Sequence, residues 1–317
     1  MRRKPGLRLI YSEGKPIEHE GDFSLVLCFS RKWCVHNFFV FFNKLRMPID
    51  NCHLIIYDNT DDEQLKKMLI ERIMIYKDIF RSLSYWKSYR RPNVVSALDE
   101  IWKGQVDITK SKLPVIYQMH LDIVDIIPTQ RFIIMEDDTL VPKYAVEKLL
   151  KTLDKYPRCG VACAIETGRG TNINRPTRLG VHIIKRQGNR IIERLSLPPN
   201  LKGKILVDGC GWYCTASYRD LWKKSLLDMK KYFKDIPRFG MDNLHTNNIK
   251  QMGYDIIADF SLWCKHMDLD CGKILFWDKS KAVPMLDVWL PEYKTYAQGV
   301  VIKWTRTLER KLIRKVK

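Results

Sequence analysis

The sequence lacks several features that would place the chain outside the cytoplasm. It has no run of about 18 apolar residues, which a helix needs in order to cross a bilayer, so we expect no membrane span. Its basic N-terminus is followed by no apolar segment, so we expect no secretory signal peptide. It shows no internal repeat and no low-complexity tract, which argues against disorder except at the ends. These absences predict a cytoplasmic globular protein.

Acidic residues are in short supply. The chain has 36 Asp and Glu against 55 Lys and Arg, which gives a formal net charge of +19. Such an excess says little about the fold, but it favours anionic partners such as nucleic acid, an anionic membrane surface or phosphorylated substrates. A solvated basic surface with no partner is the alternative interpretation.

The nine cysteines are an odd number, and several lie within apolar runs, as Cys28 does. This pattern favours reduced core thiols over a disulfide framework. Two CxxxC spacings, Cys159/Cys163 and Cys210/Cys214, are a weak signal for structural zinc, because the first pair lies within a predicted strand.

Apolar runs alternate with longer helical patterns in the first half of the chain. We predict strands at residues 23–30, 53–57, 131–138 and 159–165. We predict helices at residues 33–45, 60–75, 113–126 and 142–150. Residues 80–112 have the least regular pattern. The alternation indicates an α/β fold in which helices cover both faces of a mixed, mostly parallel sheet.

The second half of the chain has a weaker pattern. Residues 168–194 are typical of a long loop or a hairpin, and a strand at residues 204–207 precedes a glycine-rich turn. A helix is predicted at residues 241–252, followed by a short strand at residues 254–258.

Three consecutive acids, Glu136, Asp137 and Asp138, form the end of one of the predicted buried strands. Adjacent carboxylates repel one another and are costly to desolvate unless a cation lies there, and such oxygen ligands suit Mg²⁺ or Mn²⁺. Asp58 ends another predicted strand, and parallel sheets bind ligands at the carboxyl ends of their strands. The alternative is an acidic turn beside an ordinary strand end.

The ordered landmarks of residues 23–268 resemble nucleotide-sugar glycosyltransferases of the GT-A fold, most of all the inverting family 2 type. The acidic motif, usually Asp-x-Asp, here begins with Glu136, and Met241 replaces the Glu that usually precedes the catalytic Asp. The matching features are the opening strand and helix, the strand ending in Asp58, the acids at 136–138, the glycine-rich turn at 208–212, Asp242 before a helix, and His266 after the next strand.

The resemblance implies a metal-dependent, inverting transfer of a sugar from a nucleoside-diphosphate sugar, with a UDP-sugar as the expected donor. Asp138 and His266 would hold Mn²⁺ or Mg²⁺, and Asp242 would be the general base. The residues expected to contact the nucleotide are Asp58, Glu136 and Asp137.

Each of these roles has a structural alternative. Asp58 could shape a turn, Asp242 could cap a helix, and His266 could be a core or surface histidine. Trp212 could stack on a sugar or pack in the core. The residues expected on the acceptor side are Asp208, Gly209, Trp212, Arg169, Arg175 and Arg178.

Two acceptors remain open. One is a membrane-associated glycan, and the other is a polyanion such as a hydroxymethylated pyrimidine in DNA. Basic residues interleave with aromatic ones in residues 81–91, as in segments that contact phosphates and stack on bases. A non-catalytic nucleic-acid-binding protein on a decayed transferase fold is the alternative of a different class. A sugar-nucleotide pyrophosphorylase is disfavoured, because residues 29–33 contain no glycine for a phosphate loop.

The domain prediction is one GT-A domain at residues 1–290, with a donor half at about 20–165 and an acceptor half at about 166–290. Residues 291–317 form a separate basic segment, in which apolar residues recur every fourth position from Val300 to Leu312. This pattern predicts a basic amphipathic helix that lies on an anionic membrane or packs against the domain.

Overall fold

The structure is a computed structural model that describes residues 6–89, 113–166, 179–187, 190–197, 200–229, 240–268 and 273–275. The helices in these ranges are α1 (Val35–Phe42), α2 (Glu63–Tyr76), α3 (Leu113–Ile126), α4 (Ala145–Lys155), α5 (Arg219–Asp228) and α6 (Met241–Gln251). The strands are β1 (Leu7–Glu13), β2 (Phe23–Phe29), β3 (Cys52–Asp58), β4 (Ser82–Ser88), β5 (Arg131–Glu136), β6 (Thr139–Leu140), β7 (Cys159–Ile165), β8 (Val181–Gln187), β9 (Arg190–Ser196), β10 (Lys204–Val207), β11 (Gly209–Cys210), β12 (Cys214–Tyr218), β13 (Asp255–Trp263), β14 (Lys265–Asp268) and β15 (Lys273–Leu275).

Nine strands form the central sheet, in the order β1-β4-β3-β2-β5-β12-β7-β13-β10. Strands β2, β3, β4, β5, β7 and β13 run in one direction, while β1, β10 and β12 run in the other. The sheet is therefore mixed and mostly parallel, as the sequence predicts. Two three-stranded sheets, β11-β8-β9 and β15-β14-β6, flank it.

Helices cover both faces of the sheet, and an apolar core lies between the sheet and the helices on each side. Helices α1, α2 and α4 contribute to the first core, and helices α3, α5 and α6 contribute to the second. Strand β2 shows the cause: nearly all of its residues are buried, and alternate ones enter different cores, with Leu25 and Leu27 in the first and Val26 in the second. Such a near-continuous apolar run is typical of a strand buried on both faces.

Several predicted elements are confirmed within a few residues, and the start of α2 illustrates why. The predicted acidic start is a true helix cap, since the Asp62 carboxylate accepts hydrogen bonds from the N–H groups of Gln64 at 2.8 Å and Leu65 at 3.0 Å. The predicted loop or hairpin in residues 168–194 is in part the hairpin of β8 and β9.

Other predictions of local structure are wrong. Part of the segment with the least regular pattern, residues 80–112, is strand β4, an interior strand between β1 and β3. Strand β13 is longer than predicted, and neither β1 nor α5 was expected. Pro142 lies before helix α4, and its carbonyl oxygen accepts a hydrogen bond from the first helical residue, Ala145.

No helix in the described part of the chain is long and apolar enough to cross a membrane. The predicted amphipathic helix at residues 300–317 lies outside the described residues, and the proposed boundary at 290/291 remains a prediction.

The aromatic cluster beneath α1 gives a prediction about stability. The Phe39 ring is 1% exposed and stacks on Phe29 at a centroid distance of 5.5 Å, with Tyr76 beside it at 5.8 Å. Phe39→Ala should lower the free energy of unfolding by about 3–5 kcal/mol, because it removes buried contacts and leaves a cavity. The control is Val40→Ala on the same helix, which should have a much smaller effect because Val40 is 40% exposed. Denaturant unfolding measures both, and equal losses would contradict this packing.

Candidate active site

The parallel strands bring charged side chains to one edge of the central sheet, at their carboxyl ends. Asp58 ends β3, Glu136 ends β5, and Lys87 lies near the end of β4. Arg31 and Glu166 follow directly after β2 and β7. This edge is where open α/β sheets bind ligands.

Asp137 is 1% exposed and ties two loops together. Its Oδ2 atom accepts hydrogen bonds from the backbone N–H groups of Ser30 and Arg31, each at 2.6 Å, and its Oδ1 atom pairs with the Arg31 guanidinium. Burial raises the pKa of Asp137 to about 6, an effect that Arg31 opposes and neighbouring Asp138 reinforces. Asp137 therefore fixes the loop after β2 against the turn after β5.

Asp138 and His266 lie together, as the sequence predicts. The Nε2 atom of His266 is 3.2 Å from Oδ2 of Asp138, and both side chains are buried. Strand pairing causes the contact: β14 pairs with β6, His266 lies opposite Thr139, and the N–H of Met267 donates to the Asp138 carbonyl at 2.8 Å. Arg31 Nη1 is 3.0 Å from the same Oδ2 atom.

The chemistry of this pair fits a divalent cation. Two ligands that bind one octahedral ion at right angles lie about 3 Å apart, which is close to the observed separation of Asp138 and His266. Within the described residues no group of three or more acidic, His or Cys side chains is arranged to hold a metal. Mg²⁺ and similar ions commonly take one or two protein ligands and complete their shell with water and substrate phosphates.

Asp58 is fully buried, and both of its oxygen atoms have partners inside the chain. Oδ1 accepts hydrogen bonds from the N–H and the hydroxyl of Thr60, each at 2.8 Å. Oδ2 accepts from the Tyr85 hydroxyl at 2.8 Å and from the Lys87 ammonium at 2.7 Å. Asp58 thus shapes the turn after β3 and compensates the buried charge of Lys87.

Asp242 lies in the first turn of α6, where the helix dipole favours a carboxylate. Gly240, with φ of 79°, is the N-cap residue, so Asp242 is not the cap. Its Oδ1 atom accepts from the N–H and the side-chain amide of Asn243, at 2.8 and 3.0 Å. Its Oδ2 atom faces Gly211 and would be 3.3 Å from a Cβ atom added there.

Gly211 connects Asp242 to the acidic motif. The Tyr213 carbonyl accepts a hydrogen bond from the Glu136 N–H at 3.0 Å, and strand β12 then continues alongside β5. The turn that carries Gly211 therefore lies directly beside the end of β5. Asp242 thus lies against the turn whose Tyr213 hydrogen-bonds to Glu136.

Residues predicted for acceptor binding have structural roles in this turn. Trp212 is 4% exposed and packs in the second core, where its Nε1 donates to His245 Nδ1 at 3.2 Å. The Asp208 carboxylate accepts from the N–H of Ile184 at 3.0 Å and lies 3.3 Å from the Lys250 ammonium. A Cβ atom on Gly209 would be 3.1 Å from the Asn243 carbonyl oxygen and would crowd α6. Their contacts with an acceptor remain predictions, as do those of Arg169, Arg175 and Arg178, which lie outside the described residues.

The sequence prediction missed two charged residues at this edge, Arg31 and Glu166, and it placed a third, Lys87, among the phosphate-contacting residues of the 81–91 segment and not beside Asp58. Burial raises the pKa of Glu166 to about 8, with His266 opposing the shift and Asp138 adding to it. Its carboxyl group accepts from the Thr139 hydroxyl at 2.5 Å. One signal could have found all three: each lies at or just after the carboxyl end of a strand that runs in the same direction as β3 and β5.

The described cysteines show no zinc cluster. Eight of the nine are described, and all eight are free thiols, seven of them buried. Burial raises the pKa of several, including Cys163, which is typical of inert core thiols.

Comparisons with known proteins give fold-level likeness alone. No protein-family model matches the chain, and no curated protein matches it. Among solved structures, a mannosyltransferase from Pyrobaculum calidifontis in complex with GDP-Man and Mn²⁺ matches with 13% identity and a TM-score of 0.43, over 83% of this chain and 60% of that one. GalNAc-T7 with UDP, GalNAc and Mn²⁺ matches with 14% identity and a TM-score of 0.48, over 88% and 50%. Residues 1–349 of S. aureus TarS match with 8% identity and a TM-score of 0.41, over 76% and 60%.

The chain thus spans between half and 60% of the length of these structures. All three TM-scores lie below 0.5, so no activity follows from the likeness.

A buried histidine pair in the second core predicts a pH dependence. His120, whose ring centroid lies 3.6 Å from that of Trp212, and His245 are buried, and desolvation lowers the pKa of each to about 3. An unfolded histidine binds a proton near pH 6.5, so the folded state loses stability as the pH falls from about 6.5 towards 3.

His120→Phe keeps an aromatic ring against Trp212 and removes one of the two titrating groups. The loss of unfolding free energy between pH 7 and pH 5 should then shrink by about 2 kcal/mol. Denaturant unfolding at the two pH values measures this difference. The control is His36→Phe on α1, which makes the same substitution at an exposed position. If the unfolding free energy of His120→Phe depends on pH as strongly as that of the wild type, the lowered pKa of His120 is contradicted.

Proposed function

We propose that the chain is a metal-dependent glycosyltransferase of the GT-A type, which moves a sugar from a nucleoside-diphosphate sugar to an acceptor hydroxyl with inversion. The observation that carries this proposal is the pairing of Asp138 with His266 at 3.2 Å on the edge of a mostly parallel sheet. A buried carboxylate and imidazole at the carboxyl ends of parallel strands suit a cation bound together with a phosphorylated ligand.

Asp138 and His266 would hold the divalent cation, Mn²⁺ or Mg²⁺. When bound, the ion would supply Lewis-acid stabilisation of the negative charge on the departing nucleoside diphosphate. In the absence of the ion the His266 Nε2–H can donate to Oδ2 of Asp138 at 3.2 Å, and with the ion bound the Nε2 lone pair would serve as a ligand instead. The burial of Asp138 and His266 keeps bulk water away and strengthens their electrostatic effect.

The geometry also supports a different role for each of the acids Asp58, Glu136 and Asp137. Asp137 is committed to the loop at residues 30–31, so its role is to position that loop. Glu136 is half-buried at the end of β5, and we assign the contact with the donor ribose to it. Asp58 positions Lys87 and Thr60, because its oxygen atoms accept hydrogen bonds from both of them.

Asp242 is the proposed general base. It would take the proton from the acceptor hydroxyl as that oxygen attacks the anomeric carbon, through a transition state with oxocarbenium character. One direct displacement inverts the anomeric centre. The amide groups of Asn243 hold Oδ1 of Asp242 in place, which orients Oδ2 towards the glycine turn.

The acceptor is proposed to be anionic because the chain carries a net charge of +19. A membrane-associated glycan and a polyanion such as modified DNA both fit that charge. Incubation with a UDP-sugar and each acceptor class, followed by mass detection of the product, separates them. Binding alone does not, since a basic protein binds DNA without acting on it.

Asp138→Asn tests the metal site. The change keeps the shape of the side chain and removes its charge, so metal-dependent turnover of the donor should fall by on the order of 1,000-fold, corresponding to several kcal/mol. Hydrolysis of UDP- and GDP-sugars with Mn²⁺ is the measurement. The matched control is Asp154→Asn, an exposed carboxylate on α4, which should turn over the donor normally. Normal turnover by Asp138→Asn would rule out the proposed metal site.

Asp242→Asn tests the general base. Transfer should fall by about 10²–10⁴-fold while the affinity for the nucleotide stays unchanged, because the base acts on the acceptor and not on the donor. Transfer kinetics and calorimetric titration with the nucleoside diphosphate measure the two effects separately. A matching loss of nucleotide affinity would instead indicate a structural role for Asp242.

A further inference from the structure

Arg31 places a positive charge next to Asp138, the carboxylate proposed to hold the metal ion. Its Nη1 atom pairs with Oδ1 of Asp137 and lies 3.0 Å from Oδ2 of Asp138. That Oδ2 atom is the one that His266 approaches at 3.2 Å. A single guanidinium therefore already compensates both carboxylates of the acidic turn.

The pairing is strong because the two carboxylates are buried. Asp137 is 1% exposed and Asp138 is 2% exposed, and two uncompensated charges at such depth would be costly. Burial works against the charged form of Arg31, but Asp137 and Asp138 outweigh it and raise the Arg31 pKa further above its usual range. Arg31 is thus a permanent cation at this site.

The Arg31 side chain is partly open to solvent on the side away from the two carboxylates' buried surroundings. It is 24% exposed, while the carboxylates it contacts are almost fully covered. Its backbone N–H donates separately to Asp137, as does that of Ser30. The loop therefore keeps two anchoring hydrogen bonds when the guanidinium moves away.

A divalent cation on Asp138 and the Arg31 guanidinium would repel each other at this distance. The diphosphate of a nucleotide offers Arg31 a new anionic partner, and a guanidinium can bind two phosphate oxygens at once. We propose that Arg31 is an exchangeable counter-ion, which pairs with Asp138 in the free protein and with the donor diphosphate in the loaded one. This inference rests on the proposed function and assigns Arg31 a role in donor binding.

The exchange couples two binding events. A metal ion that binds alone must displace Arg31 from Asp138, and it offers the guanidinium no new anionic partner in exchange. A metal ion that binds with the nucleotide does not leave Arg31 unpaired. The two ligands should therefore increase each other's affinity by the same factor.

Calorimetric titration of the 317-residue chain with Mn²⁺ measures this coupling, in the absence and presence of UDP, and again with GDP. For Arg31→Gln, Mn²⁺ alone should bind on the order of 10-fold more tightly than to the wild type, and the nucleotide with Mn²⁺ should bind on the order of 10-fold more weakly. The coupling factor between the two ligands should fall below the wild-type value, and the direct contact of the cation with the phosphates should account for what remains.

The neighbouring Lys32→Gln is the control, because Lys32 pairs with Asp62 and Gln64 instead of the acidic turn. It should retain the wild-type coupling. Arg31→Lys decides the question if Arg31→Gln does not fold: it keeps the charge, but a compact ammonium cannot bridge two phosphate oxygens, so nucleotide affinity should fall.

Unchanged or weaker Mn²⁺ binding by Arg31→Gln, or unchanged nucleotide affinity in Arg31→Lys, overturns the inference. A wild-type protein that binds neither Mn²⁺ nor a nucleoside diphosphate overturns the proposed function itself. A wild-type protein that binds both, with Arg31 variants that behave like it, overturns the role of Arg31 and leaves the proposed function standing.

Discussion

One buried carboxylate, Asp137, holds the candidate site together. It joins the loop after β2 to the turn after β5 through hydrogen bonds from two backbone N–H groups. An ionised carboxylate with no such partners would cost several kcal/mol to bury, so the loop and the turn cannot separate without a large penalty. Asp138 is the next residue, so its position relative to Arg31 follows from this anchor, while the pairing of β14 with β6 sets its position relative to His266.

Much of the fold could be predicted because its signals are local. The β-branched and aromatic run of β5 and the acids that start α2 depend on neighbours in sequence, and both appear in the structure. Strand β4 was missed because serines and a lysine interrupt its apolar residues, although Tyr85 within it is fully buried. There, pairing with two neighbouring strands decides the structure, and a single sequence does not show pairing.

The candidate site shows the same limit. Asp138 and His266 are separated by 128 positions and were placed together by their resemblance to a motif order. Arg31 carries no motif, because one arginine after a strand is an ordinary sequence feature. Its significance comes from the parallel alignment of β2 with β5, which sets Cys28 opposite Glu136 and brings the following loop over the acidic turn. Trp212 illustrates the reverse case, since its chemistry suits sugar stacking but the fold buries it.

Strand β12 has a mechanical consequence for any reaction at this edge. It is antiparallel to both of its neighbours, β5 and β7, and hydrogen-bonds to each. Strand β5, which leads into the acidic turn, and strand β12, which follows the glycine turn, are therefore neighbouring strands about 4.8 Å apart. A hinge motion between the two halves of the sheet would have to break the hydrogen bonds between β5 and β12. The spacing between the acidic turn and the glycine turn would then be a fixed dimension of the backbone that is set when the protein folds.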